Sequence, residues 1–313
     1  MIEMSMLTAE PALLKAPPVD LMANGRVLSV ATNRLGYLAA TDPSVGIEAI
    51  RHLYGLQGYV WLKGLLPRDA VITFRGWVLS HLAESGLLKP GTDPSLGIAA
   101  DGGFVRRHAD RRLMSLVRST AYEGFCAQPC LSRLMDGFVD GLSYLHKRKI
   151  MRFTLPGTAV STPAHYDLVY LRGGTNRVVT AWIPIGDTSI DMGGLIYLEG
   201  SHATGVAMEA QFSKDSAGLS PEERISAYNR NMAEGGWVSK DLPQMAERFD
   251  SRWLVADFEA GDVVLHSPYM IHASTTNQSI NGLIRLSSDI RYQNVDDEID
   301  ARWGNHWSLD DML

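Results

Sequence analysis

Cysteine is almost missing from this chain: 313 residues contain two, Cys126 and Cys130. A C-x3-C pair without a second pair offers too few thiolates for a structural zinc site. Such scarcity points to a reducing, cytoplasmic setting rather than a disulfide scaffold. A surplus of positive charge is also lacking, the formal net charge being -6. Nucleic acids and anionic membranes select basic footprints, so neither is expected as a partner. No apolar run reaches the length of a membrane span, and no basic segment followed by an apolar core opens the chain as a secretory leader does. Repeats and low-complexity tracts are absent too. What is present, 45% hydrophobic and 20% charged residues, is ordinary globular composition, and the expected partner is a small molecule. Nothing in the sequence chooses between a monomer and a homodimer.

Two local basic clusters, Arg106, Arg107, Arg111 and Arg112, and Lys147, Arg148 and Lys149, read as solvated helix faces. Residues 1–30 carry scattered Pro, Ala and Met without a sustained period and read as a partly ordered N-terminal arm. Residues 31–313 read as one domain. In it Tyr59 to Leu62 is β-rich, and a helix follows Gly64, with Pro67 suited to a first turn and Val71, Phe74, Val78 and Leu82 at helical spacing. "DRRLMSLVRSTAYEGFC" and "CLSRLMDGFVDGLSYLH" read as two further amphipathic helices. After residue 148 the texture changes. "KIMRFTL", "AHYDLVYL", "RVVTAWIPI", "GGLIYLEGS", "WLVADFEAGDVVLHS" and "LIRLSSDIRYQ" are short, β-branched or aromatic, and punctuated by turn residues. Evenly spaced short strands argue for a sandwich or closed barrel. Residues 206–250 interrupt them with a helical insertion, capped by Ser220 and Pro221, which is expected to act as a lid.

The chemistry concentrates in "AHYDLVYL". On a strand, residues i and i+2 share a face, so His165 and Asp167 are expected to project together with Tyr166 turned away. An imidazole and a carboxylate are two ligands of a metal's sphere, and a third must come from elsewhere. "GDVVLHSPYMIHAS" offers His266 and His272, which share a face only along an unbroken strand, and Pro268 argues against one. His272, just ahead of a polar segment, stands where a barrel mouth is expected, and His266 reads as a packed or supporting histidine. Further on, Arg285 and Ser287 share a strand face, and an inward arginine in a barrel needs an anionic partner. A dicarboxylate cosubstrate suits its fork. Two histidines and a carboxylate with open positions make the facial triad of non-haem Fe(II) oxygenases.

With H-x-D, G-D-x-x-x-H-x-P-x-x-x-H and R-x-S in this order, the sequence resembles the phytanoyl-CoA dioxygenase-like branch of the Fe(II)/2-oxoglutarate-dependent oxygenases. The resemblance runs from "GYVWLKGLL" to "RLSSDIRY" and includes "TAWIPIGDTSIDMGGLIYLEGSH". It implies an α+β fold with a mainly β core, a double-stranded β-helix (jelly roll, cupin-like) with flanking N-terminal helices. It implies His165, Asp167 and His272 as iron ligands, and Arg285 with Ser287 at the distal carboxylate of 2-oxoglutarate. Trp182 matches a position lining the cosubstrate pocket, Arg152 lies on the strand whose equivalent also contacts the cosubstrate, and Thr180 and Tyr170 are weaker candidates there. His202, in "EGSH", reads as a turn residue. The implied cofactors are Fe(II), 2-oxoglutarate and O2, with ascorbate as the reductant in vitro. A carboxylate at 167, where halogenating relatives have a small residue, makes hydroxylation the expected outcome, with release of succinate and CO2. The expected substrate is a small, largely apolar metabolite of specialised metabolism. The competing readings are an acyl-CoA 2-hydroxylase, a catalytically silent cupin-like binding or partner subunit, and a zinc hydrolase on the same fold.

Overall fold

The computed structural model describes residues 17, 19–233 and 235–309. In its first half helices outweigh strands. Ile47–Gln57 buries Ile50 and Leu53 and ends at Gly58, which takes the left-handed conformation (φ 77°) and donates its N–H to Tyr54 O. That conformation suits glycine, and here the close approach requires it too. A Cβ at Gly58 would come within 2.7 Å of the His202 Cβ. Arg68–Ala83 starts just after Pro67 and buries Val71, Phe74, Val78 and Leu82, the stripe that the spacing predicts.

Two sheets form the core. The smaller has the order His272–Ser274, Leu195–Leu198, Trp253–Val255, Leu35–Tyr37. The larger runs Ala40–Thr41, Tyr59–Leu62, Val263–His266, Val179–Pro184, Arg285–Asn294. Both Ser143–Leu145 and Ile150–Thr154 then pair with the long strand Arg285–Asn294. Alternation divides the apolar residues between two clusters. Tyr59, Trp61, Trp182, Leu195, Tyr197, Leu254 and Val264 fill the space between the sheets with Phe258. Their strand neighbours, such as Val60, Leu62, Ala181, Ile183, Ile196 and Leu265, pack outward under the helices. Each strand is thus apolar on both faces, as a sheet covered on both sides requires. This is the jelly-roll architecture expected.

Several boundaries differ from the sequence reading. Of the N-terminal arm, residues 1–16 and 18 lie outside the described residues. The remainder is built into the fold: Met22–Ala23 pairs with Arg26–Val27, and Leu21, Ala23 and Leu28 are buried. "DRRLMSLVRSTAYEGFC" is two helices, Arg106–Leu116 and Thr120–Cys126, because Ser119 accepts from Tyr122 N–H and starts a new one. "CLSRLMDGFVDGLSYLH" is helical only over Pro129–Phe138 and then becomes the strand Ser143–Leu145. "AHYDLVYL" is not a strand: after Ala164 and His165 the chain turns into a short helix, Leu168–Leu171. The second basic cluster is no solvated face. Arg148 and Lys149 are buried, Arg148 over the Trp303 ring. The insertion folds as the helices His202–Asp215, Pro221–Ala233 and Leu242–Arg248. Ser220 and Glu223 cap one another's backbone N–H at the second, the reciprocal box that its sequence signals.

Candidate metal centre

Two backbone hydrogen bonds create the site. His165 N–H donates to His272 O (3.0 Å) and His272 N–H to His165 O (2.9 Å). Two segments more than a hundred residues apart are thereby paired residue against residue, and the imidazole centroids lie 4.3 Å apart. Each ring donates Nδ1–H to a nearby carbonyl, His165 to Pro163 O and His272 to Met270 O, both at 2.9 Å. This fixes the tautomer, so both Nε2 lone pairs face the same space.

Asp167 reaches that space by a route other than strand alternation. Its backbone is helical (φ -67°, ψ -28°), at the start of Leu168–Leu171. The turn brings Oδ1 to 3.7 Å from His165 Nε2 and 3.8 Å from His272 Nε2. Two atoms bound to one ion at about 2.1 Å are at most about 4.2 Å apart, so these separations suit a common cation. Oδ1 is buried with no hydrogen-bond partner among the described residues. Oδ2, in contrast, is saturated: Thr180 Oγ1 donates at 2.5 Å, Arg291 Nη2 donates at 3.0 Å, and His266 Nε2 lies 3.4 Å away. Burial alone would raise the Asp167 carboxyl, but the Arg291 charge and the neighbouring histidines outweigh it and hold the group well below the usual carboxylate range. Burial also pushes His272 well down, and the other two imidazoles add to the effect. An ionised carboxylate with one orphaned oxygen and two neutral imidazoles is the donor set of a 2-His-1-carboxylate iron site.

The other predicted residues divide. His266 is fully buried beside the triad, with its Nδ1 3.0 Å from Tyr197 Oη, and it lies in the larger sheet because Pro268 ends the strand. His202 opens its helix against Gly58 and is outside the cluster. Arg285 is buried and donates to Thr154 Oγ1 (2.7 Å) and Ser287 Oγ (3.3 Å), while its Nε has no partner among the described residues. Burial pushes its guanidinium down to about 10, opposed by the Asp289 charge. Arg75, equally buried, donates instead to the carbonyls of Ile185 and Ile284. A structural arginine finds carbonyls; Arg285 finds only hydroxyls and has fork capacity to spare. Trp182 packs against Phe258 between the sheets.

Thr180 is tied to Asp167 rather than set aside for a cosubstrate. Arg152 and Tyr170 line a cavity of about 510 Å³ that reaches His165, Asp167 and Thr154. Trp237 from the insertion and Trp303, Trp307 and Leu309 from the C-terminal segment also line it; of "WGNHWSLDDML", residues 310–313 lie outside the described residues. Arg291, which touches Asp167, was missed by the sequence reading. Its signal was parity: 291 shares the strand face of 285 and 287.

The model of the phytanoyl-CoA dioxygenase (PhyH) family matches residues 54–285. The chain belongs to that family. Among the family's relatives, 1-deoxypentalenic acid 11-beta-hydroxylase of Streptomyces arenae is 26% identical over 252 residues, spanning 79% of this chain and 81% of that protein. The enzyme of the same name from Streptomyces exfoliatus is 28% identical over 255 residues, with the same coverage. The epimerase SnoN, solved with Fe3+, alpha ketoglutarate and nogalamycin RO, superposes with a TM-score of 0.54 at 16% identity, covering 82% of this chain and 87% of SnoN. That last likeness is one of fold. As a PhyH member whose His165, Asp167 and His272 form a group that could hold a metal ion, the protein is an iron- and 2-oxoglutarate-dependent dioxygenase that uses O2. No helix among the described residues is long and apolar enough to cross a membrane.

Proposed function

We propose that the protein hydroxylates a small, largely apolar metabolite of specialised metabolism, with His165, Asp167 and His272 holding the iron. The observation that carries the reading is the convergence of one ligand atom each from His165, Asp167 and His272, all within 4.8 Å of one another, with Asp167 Oδ1 left without a partner among the described residues. Iron bound there supplies the O2 activation that oxidises a C–H bond while 2-oxoglutarate becomes succinate and CO2. The chain's part is geometry and a dry site. Thr180 and Arg291 occupy Oδ2, so Asp167 presents Oδ1 alone. Arg285 and Ser287 receive the distal carboxylate of 2-oxoglutarate, for which the unfilled Nε and the hydroxyl neighbours speak.

The insertion acts as the lid. Val238 N–H donates to Ala164 O (2.6 Å), stitching the insertion to the residue before His165, and Trp237 lines the cavity. For a small metabolite rather than an acyl-CoA speaks the state of the basic helix near the cavity, where Arg106 pairs with Asp110 and Arg112 with Glu84. Incubation with Fe(II), ascorbate, O2 and 2-oxoglutarate tests the reading. Succinate formation that needs all of them supports it. Its absence, with no fluorescence response to 2-oxoglutarate under anaerobic Fe(II), favours a silent binding protein.

A further inference from the structure

The inward face of the larger sheet carries more positive than negative charge. Register sets Arg152 opposite Ser287, and alternate residues of the long strand add Arg285, Asp289 and Arg291 to the same face. With Asp167 this gives three guanidiniums against two carboxylates. A divalent iron and a doubly charged 2-oxoglutarate cancel one another, so the single surplus positive charge remains after both are bound. Two of these guanidiniums, Arg285 and Arg291, are buried, and Arg152 is half-exposed at the cavity, where a ligand can reach it.

The three arginines are not equivalent. Arg285 is the one the oxygenase reading gives to the cosubstrate. Arg291 lends Nη2 to Asp167, lies 4.6 Å from the Trp303 ring centroid, and keeps Nε and Nη1 buried without partners among the described residues. Arg152 is different: its side chain is 47% exposed, it lines the cavity, and it bonds Asp289 Oδ2 through Nε at 3.3 Å. Its Nη edge is left for a carboxylate fork. Arg152 and Arg291 line the same cavity as His165, Asp167 and Tyr170, so the two cations sit at its metal-ligand end. The walls around them are Trp237, Trp303, Trp307 and Tyr170.

We infer that the substrate is an amphipathic monocarboxylic acid, its carboxylate received by Arg152 with Arg291 behind it and its apolar body laid against the three tryptophans. The inference rests on the oxygenase reading for the reacting centre alone. One surplus charge suits a monoanion and not a polyphosphate. Fixing the acid at one end and the hydrocarbon along the aromatic walls decides which C–H faces the metal ligands.

The lining tryptophans provide the test. Protein loaded with Fe(II) and 2-oxoglutarate under nitrogen is titrated with matched pairs, 1-adamantanecarboxylate against its carboxamide and decanoate against decanamide, read by tryptophan fluorescence. The acids are expected to bind about tenfold or more tighter than the amides, the scale of a hydrogen bond to a charged group. In Arg152→Met that ratio falls to about one, and Arg152→Lys keeps part of it, on the same scale. Equal binding of acid and amide by the wild type, no response to any of the four, or an unmoved ratio in Arg152→Met overturns the inference. So does an Arg152→Met protein that loses 2-oxoglutarate affinity with the ratio intact, since Arg152 then serves the cosubstrate. Repeating the titration on metal-free protein separates the two readings. Failure to load iron with the ratio intact counts against the oxygenase reading alone, and a ratio of one in iron-loaded protein counts against the carboxylate site alone.

Discussion

Tyr166 Oη donates to Glu209 Oε2 at 2.9 Å, and so the residue between two metal-ligand candidates is anchored to the first helix of the insertion. Arg172 completes the anchor, donating to both Glu209 oxygens (2.7 and 3.0 Å) and to Asn231 Oδ1 (2.8 Å) on the second helix. Tyr166 Oη and the Asp167 carboxylate are thus held by separate partners, and the insertion is tied directly to the H-x-D segment. Glu209→Ala leaves the Arg172 cation without its carboxylate and is expected to cost about 3–5 kcal/mol of stability. Tyr166→Phe removes one hydrogen bond and should cost about 1–2 kcal/mol. Urea denaturation measures both; equal costs would mean that the ion pair is not the anchor.

The Thr180 hydroxyl is expected to govern metal affinity rather than cosubstrate affinity. Thr180→Val removes the donor on Asp167 Oδ2 without changing side-chain shape, and should weaken Fe(II) binding about 10- to 100-fold. Thr180→Ser should restore most of it. Metal titration under nitrogen gives the constants, and unchanged affinity in Thr180→Val removes Thr180 from this role.

For Arg285 the expected effect is on 2-oxoglutarate. Arg285→Leu takes away a buried cation from an anionic ligand and should raise the apparent KM for 2-oxoglutarate by about two orders of magnitude or more. Succinate formation at varied 2-oxoglutarate reads this directly. A KM within a factor of two of wild type, on the roughly 1 kcal/mol scale of an ordinary hydrogen bond, would move the cosubstrate elsewhere.

His146 lies apart from the metal ligands and contributes to the pH dependence of stability in acid. Burial pushes it down from 6.5 to about 4, although Gln293 Oε1 sits 2.9 Å from its Nε2. Between those values the unfolded chain binds a proton that the folded one does not. Stability is therefore full above pH 6.5 and falls as pH drops toward 4, by up to about 3 kcal/mol. His146→Gln should flatten the slope of unfolding free energy over that window. A slope that matches wild type would show that His146 stays protonated in the fold.

Much of this site was legible because its signals are local. The strands Tyr59–Leu62, Val179–Pro184, Leu195–Leu198 and Val263–His266 announce themselves by β-branched and aromatic runs between turn residues. Pro268 correctly separates His266 from His272. His165 and Asp167 do come together, but not by strand alternation: Asp167 is placed by a helical turn that "DLVYL" hides behind strand-like residues. Two-residue strands such as Met22–Ala23 have no period to read, so the burial of Leu21 and Ala23 was invisible. Arg291 has no motif of its own and is marked only by sharing one face of a ten-residue strand with Arg285.

In the proposed centre His165, Asp167 and His272 hold one iron, with His266 beside them and not among them. Iron content after anaerobic Fe(II) loading and desalting decides between the two histidines. Wild type and His266→Ala should both retain about one iron per chain, as a single triad site requires, and His272→Ala should retain none. Iron kept by His272→Ala and lost by His266→Ala would make His266 the ligand instead.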